Sequence, residues 1–316
     1  MGCDSKGPNV ILFTWDGVRS HEFFKGTGPF HKAQLPPSER GQILKKFWAK
    51  YADQGMVLGE GRGYKIASDV AVSLPSYQAL MAGHSTHCKN NGCESIKVPT
   101  ILEKVKLALD LPRKDVAAFA SWNRLIAAVA QDPTQITHGI YPEIFSDGLD
   151  DAQMLAIQQR AMQDLPPWKG SRKDKYTFEL GLQYLKKHCP RLLYLSLVDS
   201  DEFGHHKDYP GYVRSLRTYD EYLHQLIETL DQMGDYGKQT TLMVTTDHSR
   251  GAGPFWVGHA ITQSSEKHVF FYARGRGVKP IGVSSERGGH ENIRPTIEYL
   301  LGLEPSGPIL PHINLQ

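Results

Sequence analysis

The sequence lacks the features that would place it in a specialised class of protein. No apolar run approaches the roughly 20 residues that a membrane-spanning helix needs. Lysine and arginine are not concentrated in any segment and the formal net charge is only +2, so nucleic acid is not expected as a dedicated partner. Repeats and low-complexity segments are also absent. What remains is an ordinary globular composition in a chain of 316 residues, 40% hydrophobic and 22% charged.

Cysteine is scarce, with four in the whole chain, and two of them bracket the tight polar segment CKNNGC. A disulfide between Cys88 and Cys93 is sterically possible and would indicate an oxidising compartment, whereas two free thiols are the alternative. The start, MGCDSKGPN, resembles the mature end of a bacterial lipoprotein. We therefore expect residues 1–8 to be a linker with a lipid on Cys3. This resemblance implies a periplasmic or cell-envelope location, and the cytoplasm is the alternative.

Short apolar runs alternate with helical patterns along most of the chain. The runs are typical of strands buried on both faces and lie at Asn9–Trp15, Val116–Ala120, 192–198, 240–246 and 269–273. Helices are predicted at 38–54, 73–83, 99–109, 175–187, 209–233 and 292–301. The alternation predicts an α/β fold with a mostly parallel central sheet and helices on both faces. No linker divides residues 9–316, so they are predicted to form one domain, with 132–172 as a candidate partial cap.

Carboxylate and imidazole side chains follow the predicted strands, and one hydroxyl begins a helix after a β-like segment. A histidine in ERGGHEN precedes the last helix. These residues are Asp16, Ser73, Asp201, His205, Asp247, His248 and His290. Each alone has an ordinary reading as a turn residue, a helix cap or a helix-surface pair. Because ligands of open α/β sheets bind at the carboxyl ends of the strands, the whole set predicts a metal site there.

The donor set indicates which ions this site would hold. Carboxylates and neutral imidazoles without clustered thiolates suit Zn²⁺, with Mn²⁺ as the alternative. Six such ligands and a hydroxyl exceed what one tetrahedral ion needs. We therefore expect two divalent metal ions.

The order of these seven residues along the chain resembles that of the site residues in the alkaline phosphatase superfamily. The resemblance is closest to the type I phosphodiesterase / nucleotide pyrophosphatase branch and its small bacterial relatives. It implies an alkaline-phosphatase-like sandwich that hydrolyses phosphate mono- or diesters of a small molecule. It also implies a serine nucleophile that becomes phosphorylated, and two ion sites. One site would be Asp16, Asp247 and His248, with Ser73 touching the ion, and the other Asp201, His205 and His290.

The segment SLPSY departs from the patterns of related enzymes. Ser73 stands where the phosphodiesterase branch has threonine, Leu74 where it has an aromatic residue, and Ser76 where it has asparagine. Sulfatases of the superfamily carry an arginine at the position of Tyr77, which argues against a sulfatase. A phosphomutase or phosphotransferase, and a metal-binding module without turnover, remain as alternatives.

Three further residues are candidates for contact with the substrate. Asn91, or its neighbour Asn90, lies where the phosphodiesterase branch places an asparagine on a phosphoryl oxygen. Arg250 follows the Asp-His pair closely enough to face a phosphate group, and His259 in WVGHA follows shortly after. The alternatives are a loop-stabilising asparagine, a solvated arginine and a structural histidine.

Overall fold

The computed structural model describes residues 3, 7–31, 33–142, 151–259 and 264–315. The strands are β1 (Asn9–Trp15), β2 (Met56–Leu58), β3 (Tyr64–Lys65), β4 (Val116–Ala120), β5 (Thr137–Ile140), β6 (Leu192–Leu197), β7 (Thr240–Thr245), β8 (Phe271–Gly275), β9 (Gly282–Val283) and β10 (Gly288–Gly289). The helices are α1 (Ser20–Lys25), α2 (Arg40–Ile43), α3 (Ser73–Ala82), α4 (Ile101–Ala108), α5 (Ile126–Val129), α6 (Ala152–Gln163), α7 (Asp174–His188), α8 (Asp199–His205), α9 (Tyr209–Gln232), α10 (Asp235–Lys238) and α11 (Ile293–Leu300).

The central sheet has eight strands in the order β5–β4–β6–β1–β7–β8–β2–β9. Strand β8 runs antiparallel to both of its neighbours, and the other adjacent pairs are parallel. The strand β1 lies between β6 and β7, with Val10 opposite Leu192 and Thr241. The predicted mostly parallel sheet is therefore confirmed. The carboxyl ends of β6, β1 and β7 lie side by side at one edge of it.

Both faces of the sheet are covered by helices, as the fully apolar strands require. Along β1, Phe13 and Trp15 pack into a core with residues of α1, α7 and α9. The alternate residues Val10 and Leu12 pack into a second core with residues of α3, α4 and α11. The prediction of helices on both faces is confirmed.

Helix boundaries with clear capping signals were predictable. The helix α3 ends before Gly83, which adopts the left-handed conformation (φ 78°) that favours glycine at this position. The helix α4 begins after Thr100, whose hydroxyl accepts the N–H of Glu103 while the Glu103 carboxylate accepts the N–H of Thr100.

Two predicted segments differ from the structure. The helix predicted for 38–54 is broken into α2 and the separate helical turns Phe47–Tyr51 and Ala52–Gln54. The break occurs because the Asp220 carboxylate of α9 accepts the backbone N–H groups of Lys46 and Phe47, at 2.8 Å each. The β-like segment directly before Ser73 forms no strand. The nearest strand before it is β3, whose two residues pair with β10.

The structure also contains elements that the sequence did not suggest. The strand β5 and the helix α6 both lie in the candidate cap, where no strand or helix was predicted. Strands β2 and β9 have only three and two residues, too few to show a periodic pattern. The candidate cap 132–172 thus contributes an edge strand to the sheet and a helix packed on α7, while residues 143–150 lie outside the described part. Its role as a cap stays a prediction, as does the single domain.

Two disulfides are present in the structure. One joins Cys88 to Cys93, with Cα atoms 5.7 Å apart, as the first alternative above expected. The other joins Cys3 to Cys189 across 186 positions of sequence and was not foreseen. A sulfur atom in a disulfide cannot also carry a lipid thioether, so this bridge and the expected lipid on Cys3 are alternatives. Among the described residues, no helix is both long and apolar enough to cross a bilayer.

The cysteine pairing gives a direct prediction. Titration of denatured, unreduced protein from an oxidising compartment should find none of the four thiols free. Detection of two free thiols would show that one of the bridges is absent, and peptide mapping would identify which one. Two free thiols at Cys3 and Cys189 would contradict the long-range bridge and make Cys3 available again for a lipid.

Candidate metal centre and nucleophile

A first cluster of predicted ligands lies where β1 and β7 end. The His248 Nε2 atom is 3.2 Å from Asp247 Oδ2 and 3.7 Å from Asp16 Oδ1. The hydroxyl of Ser73, the first residue of α3, is 3.1 Å from the same nitrogen. All four residues are buried. The structure therefore brings together the complete set predicted for the first ion.

The hydrogen bonds around this cluster leave its inner atoms available for a cation. The Asp16 Oδ1 and Asp247 Oδ2 atoms are buried and have no hydrogen-bond partner among the described residues. The Nδ1 atom of His248 lies 3.0 Å from the Ser249 carbonyl oxygen. If Nδ1 carries the proton and donates it there, the Nε2 lone pair faces the carboxylates, which is the usual arrangement of a metal-binding histidine.

A second cluster lies at the end of β6 and is formed by Asp201, His205 and His259. The His205 Nε2 atom is 3.0 Å from Asp201 Oδ2 and 3.0 Å from His259 Nε2. The His259 Nε2 atom is 3.7 Å from Asp201 Oδ1, and its Nδ1 atom is 2.8 Å from the Ala71 carbonyl oxygen. The His259 ring also stacks on the His248 ring, with centroids 3.7 Å apart. The two clusters are therefore immediate neighbours.

These separations fit metal coordination. Ligand atoms at 2.0–2.1 Å from a tetrahedral zinc ion stand about 3.3 Å from one another. Most of the separations in both clusters are near this value without any ion in place. Two overlapping groups, Asp16–Asp247–His248 and Asp201–His248–His259, have the ligand atoms close enough to surround an ion.

The negative charge of the buried carboxylates also favours the binding of cations in this site. Burial and the neighbouring charges of Asp247 and Asp201 raise the pKa of Asp16 well above its usual range. Burial and the charge of Asp201 likewise raise the pKa of Asp247. Burial lowers the pKa of His248 and of His259, so both imidazoles are kept in the neutral form that binds metals. Without a cation, the carboxylates would take up protons instead of remaining charged.

The structure does not place His290 in the second cluster. Its Nε2 atom is 3.3 Å from the Thr245 hydroxyl, and its ring packs edge-on against Tyr64. The side chain is fully buried below the strand end, and burial lowers the pKa of His290 to about 3. His259, which was expected to touch the substrate, takes the position beside Asp201 and His205. The structure therefore favours His259 over His290 as the third ligand candidate of the second cluster.

The sequence suggested that Arg250 faces a phosphate group of the substrate. In the structure its side chain points into the protein instead. Its guanidinium group is fully buried and forms an ion pair with the Asp201 carboxylate. It also donates to the carbonyl oxygens of Trp256, at 2.8 Å, and Val257, at 2.5 Å. Although burial opposes ionisation, this pairing holds the pKa of Asp201 well below its usual range. Arg250 thus fixes both Asp201 and the loop that leads to His259.

Two glycines make this arrangement sterically possible. A Cβ atom on Gly17, which has φ of 64°, would stand 2.2 Å from Asp201 Oδ1. A Cβ atom on Gly204 would stand 2.6 Å from the guanidinium carbon of Arg250. Neither contact can be accommodated without moving a charged group of the site, so these positions require glycine.

Asn91 reaches the beginning of α3 from the disulfide-closed loop. Its Oδ1 atom accepts the backbone N–H of Leu74 at 3.0 Å, directly after Ser73. The backbone of this loop is held in turn by Arg124, whose Nε atom donates to the Asn91 carbonyl oxygen at 3.0 Å. The Asn91 side chain therefore lies next to the nucleophile candidate, and its amide nitrogen donates to no group among the described residues.

Comparison with known protein families agrees with a metal site. A family model described as the Metalloenzyme superfamily matches residues 167–305. That range includes Asp201, His205, Asp247, His248 and His259, but neither Asp16 nor Ser73. The matched part is therefore the part of the chain that supplies the second cluster and half of the first.

Comparisons with single proteins indicate the fold and leave the reaction open. The phosphopentomutase of Shewanella loihica is 31% identical over 130 residues, which make up 40% of this chain and 29% of that enzyme. The chain thus matches less than a third of the length of this relative. The phosphonate monoester hydrolase SpPMH from Silicibacter pomeroyi superposes with a TM-score of 0.63 at 13% identity, covering 96% of this chain and 76% of that one. The lipoteichoic acid synthase LtaP from Listeria monocytogenes superposes with a TM-score of 0.62 at 12% identity, covering 96% of this chain and 74% of that one.

The placement of the two histidines gives a testable prediction. Replacement His259→Gln should lower the bound divalent metal from two ions per chain to about one, because it removes a ligand from the second cluster. Elemental analysis after gel filtration in zinc-containing buffer measures this number. The matched control His290→Gln should retain two ions. The opposite pattern, with metal lost only in the His290 variant, would contradict the assignment.

Proposed function

We propose that the chain belongs to the alkaline-phosphatase-like superfamily and hydrolyses phosphate mono- or diesters of a small molecule with two divalent metal ions. The observation that carries this proposal is the position of Ser73. Its hydroxyl lies 3.1 Å from His248 Nε2, inside a buried group of carboxylates and imidazoles, at the N-terminus of a ten-residue helix. This is the environment that a serine nucleophile needs.

Each ion would have its own ligands from the chain. Asp16, Asp247 and His248 would hold one ion, in contact with Ser73, and the second cluster of Asp201, His205 and His259 would hold the other. Zinc suits these oxygen and nitrogen donors best, and Mn²⁺ is the alternative. Bound ions would stabilise negative charge on the attacking and leaving oxygens of a displacement at phosphorus.

The residues of the chain supply the nucleophile and its orientation. Ser73 must lose its proton to attack, and the positive end of the α3 dipole stabilises the resulting alkoxide. Attack forms a bond from Ser73 Oγ to phosphorus while the bond from phosphorus to the leaving oxygen breaks. The leaving oxygen takes up a proton from solvent, which balances the proton that Ser73 released to solvent. Water then attacks the phosphoserine, which releases the phosphate group and restores the hydroxyl. Pro75 in the first turn of α3 helps to fix the direction of the hydroxyl.

Asn91 is the best placed candidate for contact with the substrate. Because its Oδ1 atom is used by the N–H of Leu74, its amide nitrogen remains as a donor beside Ser73. That nitrogen would bind a non-bridging phosphoryl oxygen during the attack. Arg250 and His259 are not proposed as substrate contacts. Arg250 forms an ion pair with Asp201, and His259 lies beside Asp201 in the second cluster.

A phosphomutase or phosphotransferase is the second candidate, and the similarity to phosphopentomutases favours it. That similarity covers 40% of the chain, so it supports a shared metal site more than a shared reaction. A sulfatase is disfavoured by Tyr77, which stands where those enzymes have arginine. A module without turnover would not need the Ser73 hydroxyl at the cluster.

The two disulfides support export of the protein into an oxidising compartment. Disulfides persist in the periplasm and the cell envelope, whereas the cytoplasm keeps thiols reduced. We therefore propose a periplasmic or cell-envelope location, with the cytoplasm as the alternative. A lipid on Cys3 is not part of this proposal, because its sulfur is bonded to Cys189.

Replacement of the nucleophile tests the mechanism. Ser73→Ala should lower phosphoesterase turnover by several orders of magnitude, because the covalent route is lost, while the carboxylates and imidazoles still bind two ions. Release of p-nitrophenol and elemental analysis measure the two properties separately. Ser76→Ala is the matched control, since among the described residues its buried hydroxyl donates only to the Val70 carbonyl oxygen, at 3.4 Å. Near-wild-type turnover in Ser73→Ala, whether or not Ser76→Ala is inactive, would show that Ser73 is not the nucleophile.

A substrate panel tests the reaction class. The zinc-loaded protein should release p-nitrophenol from p-nitrophenyl phosphate or its bis ester, and much more slowly from p-nitrophenyl sulfate. Phosphate release should match p-nitrophenol release from the monoester. Transfer of the phosphate group to an added pentose or other alcohol, with little free phosphate, would favour the transferase alternative. Hydrolysis of the sulfate ester as the best substrate would contradict the proposal.

A further inference from the structure

Tyr77 connects the nucleophile helix to a metal ligand of the first cluster. It follows Ser73 by four residues in α3, so both side chains lie on the same face of the helix. Its ring is fully buried, and its hydroxyl donates to Asp16 Oδ2 at 3.0 Å. The sequence had marked this position only as one that lacks the sulfatase arginine.

A second hydroxyl fixes the direction of this hydrogen bond. The Ser196 Oγ atom on β6 donates to the Tyr77 hydroxyl oxygen at 3.3 Å. Because the tyrosine oxygen accepts from Ser196, its own proton points to Asp16. The arrangement is therefore a chain of donors from Ser196 through Tyr77 to the Asp16 carboxylate.

The other oxygen of Asp16 is left available by this contact. The Oδ1 atom is buried, has no hydrogen-bond partner among the described residues and faces His248 Nε2 at 3.7 Å. A carboxylate with one oxygen held by a donor offers its second oxygen in a defined direction. Hydrogen bonds of this kind to ligating groups typically change metal affinity by about 10–100-fold when they are removed.

We propose that Tyr77 is a positioning residue that holds Asp16 as a one-oxygen metal ligand and aligns this ligand with Ser73 through α3. This inference rests on the proposed function, because it assigns Asp16 to the first ion. The tyrosine is a neutral donor, so the full negative charge of Asp16 remains for the ion. The contrast is Asp201, whose charge is shared with Arg250.

The test is the metal affinity of Tyr77→Phe, which removes the hydroxyl and keeps the ring. Metal-free protein is titrated with zinc in competition with a chromophoric chelator. One of the two zinc ions should bind about 10–100-fold more weakly than in the wild type, and the other should bind unchanged. Turnover at low zinc should fall and should recover in part when zinc is added. Ser196→Ala should change the same zinc affinity in the same direction by a smaller factor.

Tyr236→Phe is the matched control. The Tyr236 hydroxyl is also buried, but it donates to the Pro190 carbonyl oxygen at 2.6 Å and lies outside the chain of donors that leads to Asp16. Its loss should leave both zinc affinities unchanged, even if the unfolding temperature falls. If Tyr77→Phe also keeps both wild-type affinities and loses only thermal stability, Tyr77 is structural and the inference is overturned. Wild-type protein that binds no divalent ion would overturn the proposed function as well.

Discussion

The burial of Asp16, Asp201 and Asp247 at the ends of three adjacent strands is the constraint on which the site depends. Each carboxylate is at most 5% exposed, and they raise one another's energy in the charged form. Arg250 compensates Asp201 directly. The charge of the other two must be balanced by bound cations or removed by protonation. Neutral imidazoles beside them favour metal ions as the balancing charge.

The fold places these groups with little freedom. Parallel pairing of β1 with β6 and β7 brings Asp16, Asp201 and Asp247 to one edge of the sheet, and the backbone N–H of Asp16 still donates to the Leu197 carbonyl oxygen, at 2.9 Å. The helix α3 packs in the core that contains Val10 and Leu12. Its first turn lies at the same edge of the sheet as the three carboxylates. Its Ser73 and Tyr77 reach the cluster together. Strands thus supply the ligands, and one helix supplies both the nucleophile and a donor that orients a ligand.

Much of this could be read from the sequence, and the exceptions have physical causes. Apolar runs defined the central strands, and the first polar residues after them had to lie at one edge. His259 was not recognised as a ligand because it lies in an irregular loop with no periodic pattern to orient its side chain. His290 was predicted as a ligand because it precedes the last helix, but its ring packs in the core against Tyr64. Sequence spacing likewise could not show that Arg250 points inward, because that direction depends on the space left by Gly204.

The central claim is that two adjacent cation sites are built from these residues. It is tested most directly by anomalous diffraction at the zinc edge from crystals of zinc-loaded protein. The account predicts two peaks about 4 Å apart, the spacing typical of two-metal sites. One should lie among Asp16, Ser73, Asp247 and His248, and the other among Asp201, His205 and His259. A single peak, no peak, or a peak bound by His290 would contradict it.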